Sequence, residues 1–104
     1  MDRYASDALK LFSDLIRIRR IKGNIAKEEF AVRVGITIEI LEQIEQADPS
    51  CPIGCYFAAA EGLKIHLFED EQTKLAWRLF DIQEKLALLP SVENQMGEPF
   101  EDKF

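Results

Sequence analysis

The chain has 104 residues, 47% of them hydrophobic and 31% charged, with 13 Lys and Arg against 19 Asp and Glu for a formal net charge of −6. That length supports one globular domain with a core of moderate size and excludes a multidomain enzyme, while the acidic balance excludes a uniformly basic surface wrapped in nucleic acid. The charge is uneven: residues 1–35 carry eight Lys/Arg against five Asp/Glu, residues 36–71 one against eight, and residues 72–104 four against six. Arg17, Arg19, Arg20, Lys22, Lys27 and Arg33 gather the cations in the first third, so an anionic partner is expected there.

Ala8, Leu11, Phe12, Leu15, Ile18 and Ile21 step by threes and fours, which predicts an amphipathic helix from about residue 5 to a stop at Lys22-Gly23-Asn24, with Gly23 as its C-terminal cap. A second helix is expected over about Ala26 to Val34, burying Phe30, Ala31 and Val34 and ended by a left-handed Gly35. Ala26 offers no side-chain cap, and Asn24 is the candidate substitute. Thr37 caps a third helix that turns Leu41 and Ile44 inward and Ile38, Glu39, Glu42 and Gln43 outward. Asp48-Pro49-Ser50 reads as a turn, and Pro52 opens a fourth helix from about Ile53 to Leu63. A fifth spans about residues 71–89 until Pro90 breaks it. No segment of period two demands a sheet, so the class is all-α with five helices. Pro90 to Phe104, with two prolines, a glycine and four carboxylates, reads as an acidic tail.

Leu75, Leu79, Ile82, Leu86 and Leu89 follow the four-three rhythm of a coiled-coil seam, with Trp77, Phe80 and Leu88 beside it. One small core does not cover that much apolar surface. The fifth helix is therefore expected to place one side on the domain and the other, through Leu75, Leu79, Ile82 and Leu86, on a twin subunit.

Helix, glycine-bearing turn, helix is the helix-turn-helix pattern, and Phe30-Ala31-Val32-Arg33-Val34-Gly35-Ile36-Thr37 with Leu41 and Ile44-Glu45 resembles the Cro/C1-type (Xre) family of repressors. The stretch Asp48-Pro49-Ser50, Ile53-Gly54 and Tyr56 is similar to the antitoxin-like, Hip-type members. The resemblance covers about residues 8–68 and, more weakly, Leu75 to Pro90. It implies a five-helix lambda-repressor-like fold with its helix-turn-helix DNA-binding domain over residues 1–70, the last and longest helix over 71–90 packed on it, and the tail over 91–104. It also implies an ion pair between Arg20 and Glu45. DNA contact would fall to Arg19, Lys27, Arg33, Thr37, Ile38, Glu39, Glu42 and Gln43, with the cations on phosphates and the third helix on bases. The outer face of that helix departs from the family in having no Arg or Lys. A carboxylate can still accept from cytosine N4, glutamine can pair with adenine, and isoleucine can touch a thymine methyl.

The partners implied are double-stranded DNA, a second copy of the chain and, for an antitoxin, a toxin. The alternative is a degenerate helix-turn-helix that binds protein, using Ile38 and the acidic middle. Cys51, Cys55 and His66 fall short of the four ligands of structural zinc, so no metal is expected, and both thiols read as reduced. No phosphate-binding glycine loop, dinucleotide fingerprint or nucleophile setting is present, so the reading is a non-enzyme without a cofactor. No apolar run approaches the roughly 20 residues of a membrane span, and Met1-Asp2-Arg3-Tyr4 leads into mixed polar sequence, so a cytoplasmic protein is expected.

Overall fold

The computed structural model describes residues 1–90. Among them are five α-helices and no strand: α1 (Arg3–Lys22), α2 (Lys27–Val34), α3 (Ile38–Glu45), α4 (Ile53–Gly62) and α5 (Gln72–Ala87). The acidic tail expected over 91–104 lies outside the described residues. The chain divides into two compact units, Met1–His66 and the segment from Leu67 onward.

In the first unit α1, α3 and α4 pack on one another and α2 packs on α3 and α4. They enclose Ile16, Phe30, Ala31, Leu41, Ile44, Cys51, Tyr56 and Ala59, with Leu9, Phe12, Ile25, Val34, Ile36, Ile38 and Ile40 around them. Phe12 joins α1 to α4, its ring centroid 5.8 Å from that of Tyr56 and 6.0 Å from that of Phe57. Gly62 lets α4 approach α2, since a Cβ there would collide with Val34 Cγ1 and meet Phe30 Cε1 at 3.2 Å.

α1 begins earlier than its apolar pattern suggests because the Asp2 carboxylate accepts from the Ala5 N–H at 2.8 Å, satisfying one of the free donors of the first turn. Its buried face also differs from the expected one. Ser13, Ile16 and Arg20 are buried, with Leu9 and Phe12 partly so, whereas Ala8, Leu11, Leu15, Ile18 and Ile21 are exposed. The reason is that the two polar residues find partners inside. The Ser13 hydroxyl donates to the Ile44 carbonyl, and Arg20 is bound by Glu45 and Ile25, so burying them leaves nothing unsatisfied.

The turn after α1 places Gly23 at the C-terminal cap as expected, and corrects the expectation for Asn24. Gly23 sits at the cap with an ordinary φ of −78°, and the left-handed residue is Asn24 at φ 55°. Asn24 does not cap α2, whose N-cap residue is Ala26 and makes no side-chain cap bond. Gly35 does take the left-handed conformation, φ 79°, and its N–H returns to the Ala31 and Val32 carbonyls to end α2. No helix among the described residues is long and apolar enough to cross a membrane.

In the second unit α5 buries no residue. Trp77 and Phe80, one turn apart, meet edge to face at 6.0 Å, and Arg78 donates to Glu69 at 2.6 Å.

Candidate nucleic-acid interface

The candidate surface is built on α3, so its geometry depends on how that helix is held. The Thr37 hydroxyl accepts from the Ile40 N–H at 3.1 Å and fixes the start of the helix. The inward side, Leu41 and Ile44, is fully buried. At the far end Glu45 accepts twice from Arg20 of α1, Nε to Oε2 at 2.6 Å and Nη2 to Oε1 at 3.2 Å, while Nη1 donates to the Ile25 carbonyl at 2.8 Å. Arg20 and Glu45 are only 8% and 9% exposed. This forked contact fixes both distance and angle between α1 and α3, which a single lysine contact would not.

The segment after α3 is anchored as well. Asp48 accepts from the Ser50 N–H at 2.9 Å and the Ser50 hydroxyl at 2.7 Å, closing the turn around Pro49. These two bonds favour the ionised carboxylate and hold its pKa below the ordinary value. The Tyr56 hydroxyl donates to the Asp48 carbonyl at 2.9 Å from a buried site. Burial first, then the neighbouring Cys51 and Asp48, push the Tyr56 phenol up to about 12.

With α3 held this way, Glu39, Glu42, Gln43 and Gln46 fall at helical spacing along the side away from the core. Glu39, Glu42 and Gln46 are exposed and Gln43 is half-buried. Gln46 was not singled out from the sequence because it lies one position beyond the helix end, although its i, i+3, i+4, i+7 relation to the other three was available. Ile38 departs from the outward position expected for it. It is half-buried and packs against the core, so its apolar side chain is accounted for by packing.

The cations reach the surface from other elements. Lys27 is the first residue of α2 and is half-buried. Arg33 in the last turn of α2 pairs with Glu29 at 3.5 Å, both exposed, a contact worth at most a few tenths of a kcal/mol. Arg19 is turned toward the end of α4, its Nη1 3.4 Å from the Leu63 carbonyl, where the helix dipole favours a cation. The expected set is therefore divided: Thr37, Glu39, Glu42 and Gln43 belong to one helix surface, Lys27 and Arg33 to the two ends of α2, and Arg19 to the α1–α4 side.

Cys51 is buried, Cys55 half-buried, and both are free thiols. Burial first, then the neighbouring Cys55 and Asp48, raise the Cys51 pKa, which favours the thiol over the thiolate. No group of three or more His, Cys, Asp or Glu among the described residues is arranged to hold a metal ion. Compared with family models, curated proteins and solved structures, the chain matches none of them.

Proposed function

We propose that the protein is a helix-turn-helix transcriptional regulator of the Cro/C1 type that binds double-stranded DNA as a homodimer. The observation that carries the reading is the α2–turn–α3 unit, in which a left-handed Gly35 and a Thr37 cap join two eight-residue helices and a buried Arg20–Glu45 pair braces the second. Such bracing is what a base-reading helix requires, because side chains must meet base edges within a fraction of an ångström. Gln43 and Gln46 are the candidates for adenine, Glu39 and Glu42 for cytosine N4, and Lys27 and Arg33 for phosphates on either side. The leucine row of α5, exposed at Leu75, Leu79, Ile82 and Leu86, supports a second copy, as palindromic half-sites require. An autorepressor or antitoxin with a toxin partner is the biological role the Asp48-to-Tyr56 resemblance suggests.

Selection from random duplexes at 50 mM salt tests the reading. A defined half-site should emerge. On it Gln43→Ala should weaken binding by about 1 to 3 kcal/mol and relax one base position, while Lys27→Ala should weaken all sequences alike and flatten the log affinity against log salt slope by roughly one unit. Failure of every duplex to bind better than micromolar at that salt excludes it.

One observation favours a second reading. The exposed positions of α3 present two carboxylates and no cation, which suits a basic protein partner better than a phosphate-lined groove. Under that reading Glu39→Lys strengthens non-specific DNA binding and abolishes the protein contact.

A further inference from the structure

The exposed side of α1 is an ordered row. Tyr4, Ala8, Leu11, Leu15 and Ile18 step by four, three, four and three, the rhythm that keeps one stripe of a helix facing a partner helix. All five are exposed, Leu11 to 61%, and they lie on the side of α1 opposite Ser13, Ile16 and Arg20. The α5 row Leu75, Leu79, Ile82, Leu86 and Leu89 has the same rhythm and is exposed too, Leu79 to 56%. Within α5 the row from Leu75 to Leu86 runs about 16 Å at the helical rise, the same span as Tyr4 to Leu15 in α1, and Leu89 lies past the helix end. Two rows of matching phase allow three pairings between copies: α1 with α1, α5 with α5, or α1 with α5.

The flanking charges choose among them. Asp7 and Asp14 border the α1 row and Arg78 and Lys85 border the α5 row, each pair seven residues apart and each residue at the heptad position just before a seam residue. In an antiparallel helix pair these positions face one another. Pairing α1 with α1 sets carboxylate against carboxylate, and pairing α5 with α5 sets cation against cation. Antiparallel α1 and α5 set Asp14 against Arg78 and Asp7 against Lys85. The seam then layers Leu15 with Leu75, Leu11 with Leu79, Ala8 with Ile82 and Tyr4 with Leu86. A parallel α5 pair places Arg78 beside Gln83 of the second copy and leaves Lys85 without a helical neighbour across the seam, without repulsion but without attraction. Arg3 lies 3.8 Å from Asp7 and Asp81 3.0 Å from Lys85, exposed contacts that exchange at little loss, whereas Arg78 keeps its 2.6 Å contact with the half-buried Glu69 and offers its free guanidinium nitrogens to Asp14.

We propose that a second copy of this chain docks its α5 antiparallel on the exposed row of α1, reciprocally, so that the dimer is held by two α1–α5 pairs. Only the mixed pairing covers all four rows of two copies; α5 paired with α5 covers two. It therefore makes the most of the available apolar area toward the roughly 1,200 to 2,000 Å² that a stable interface buries. The inference rests on the homodimer proposed above but not on DNA binding.

Sedimentation of the full chain without DNA, at tens of micromolar, tests it. The parent should sediment as a dimer. Asp14→Arg and Arg78→Asp, both at exposed positions, should each weaken association by about tenfold or more. Mixing the two variants in equal amounts should restore it, because one helix pair of the mixed dimer is then charge-reversed on both sides and the other is as in the parent. Asp7→Lys mixed with Lys85→Asp should behave the same way, and circular dichroism should show all four variants folded. A monomeric parent overturns the proposal. So does an Asp14→Arg variant as dimeric as the parent, which would leave α5 pairing with α5, and so does a mixture that stays monomeric, which would mean docking within one chain. None of these outcomes bears on the duplex selection, so the two readings fail separately.

Discussion

The Met1–His66 unit and α5 draw on the same signal, an apolar face at helical spacing, and use it oppositely. In the first unit the faces of four helices converge on Phe30, Leu41, Ile44 and Tyr56, and the polar groups drawn in with them, Ser13, Arg20 and Glu45, are bonded. In α5 the same periodicity leaves Leu75, Leu79, Ile82 and Leu86 exposed. Periodicity thus establishes that a face exists, and only the surroundings decide what covers it. α1 carries both outcomes on one helix, with a mixed polar and apolar side inside and its more uniformly apolar row outside.

The sharpest way to break the first unit is through the pair that makes its mixed interior tolerable. Glu45→Gln leaves the Arg20 guanidinium buried without a counter-charge and should destabilise by about 3 to 5 kcal/mol in urea unfolding. Replacing both residues, Arg20→Met with Glu45→Leu, should recover much of that loss, since an uncharged pair has no unpaired ion to desolvate. A Glu45→Gln protein as stable as the parent would mean that the pair does not brace α1 on α3.

A smaller effect is expected where α4 meets α2. Gly62→Ala gains roughly 1 kcal/mol of helix propensity but drives a methyl into the branched Val34 side chain, which has no flexible end to move away. Overpacking of this kind outweighs the gain, giving a net loss of about 1 to 2 kcal/mol by urea titration. The corresponding change in α5, Ala76→Leu on an exposed surface, should be close to neutral.

Much of the architecture was legible in the sequence because it follows from local rules. Five helices, the left-handed Gly35, the Thr37 cap and the Pro52 start need only near neighbours. The register of α1 was not legible, since Ser13 and Arg20 read as solvent residues until Ile44, Ile25 and Glu45 are brought to them across the chain. Arg20 and Glu45 stand 25 residues apart, a distance that no periodicity connects, so only the family resemblance pointed to them. Ile38 read as outward because first-turn positions are hard to phase from an eight-residue helix, and in the structure it leans on the core. On the candidate interface the polar residue types of α3 were legible, whereas the turning of Arg19 toward the α4 terminus depends on tertiary placement.

The Tyr56 hydroxyl offers a test by pH. The phenol is raised from its ordinary value of 10 to about 12, so the folded state prefers it neutral. The associated stability is complete below pH 10 and is lost as pH rises from 10 through 12. Tyr56→Phe should give up about 1 kcal/mol at neutral pH with the hydrogen bond to the Asp48 carbonyl, and unfolding titrations should show a shallower decline between pH 10 and 12. An unchanged slope would place the alkaline sensitivity elsewhere.

The smallest expected effect separates the two regions most directly. Leu79→Ser alters an exposed position of α5, so in dilute solution, where the proposed dimer dissociates, urea unfolding of the Met1–His66 unit should move by no more than about 0.5 kcal/mol. Raising the protein to tens of micromolar should change this if the proposed dimer forms, because association would stabilise only the folded chain and the parent would gain from it by mass action while the variant would not. The gap between parent and variant should therefore open with concentration, and the concentration at which it opens gives the dimer dissociation constant. A variant already destabilised by several kcal/mol in dilute solution would mean that Leu79 belongs to a core within one copy, and the contrast between the two regions would fall with it.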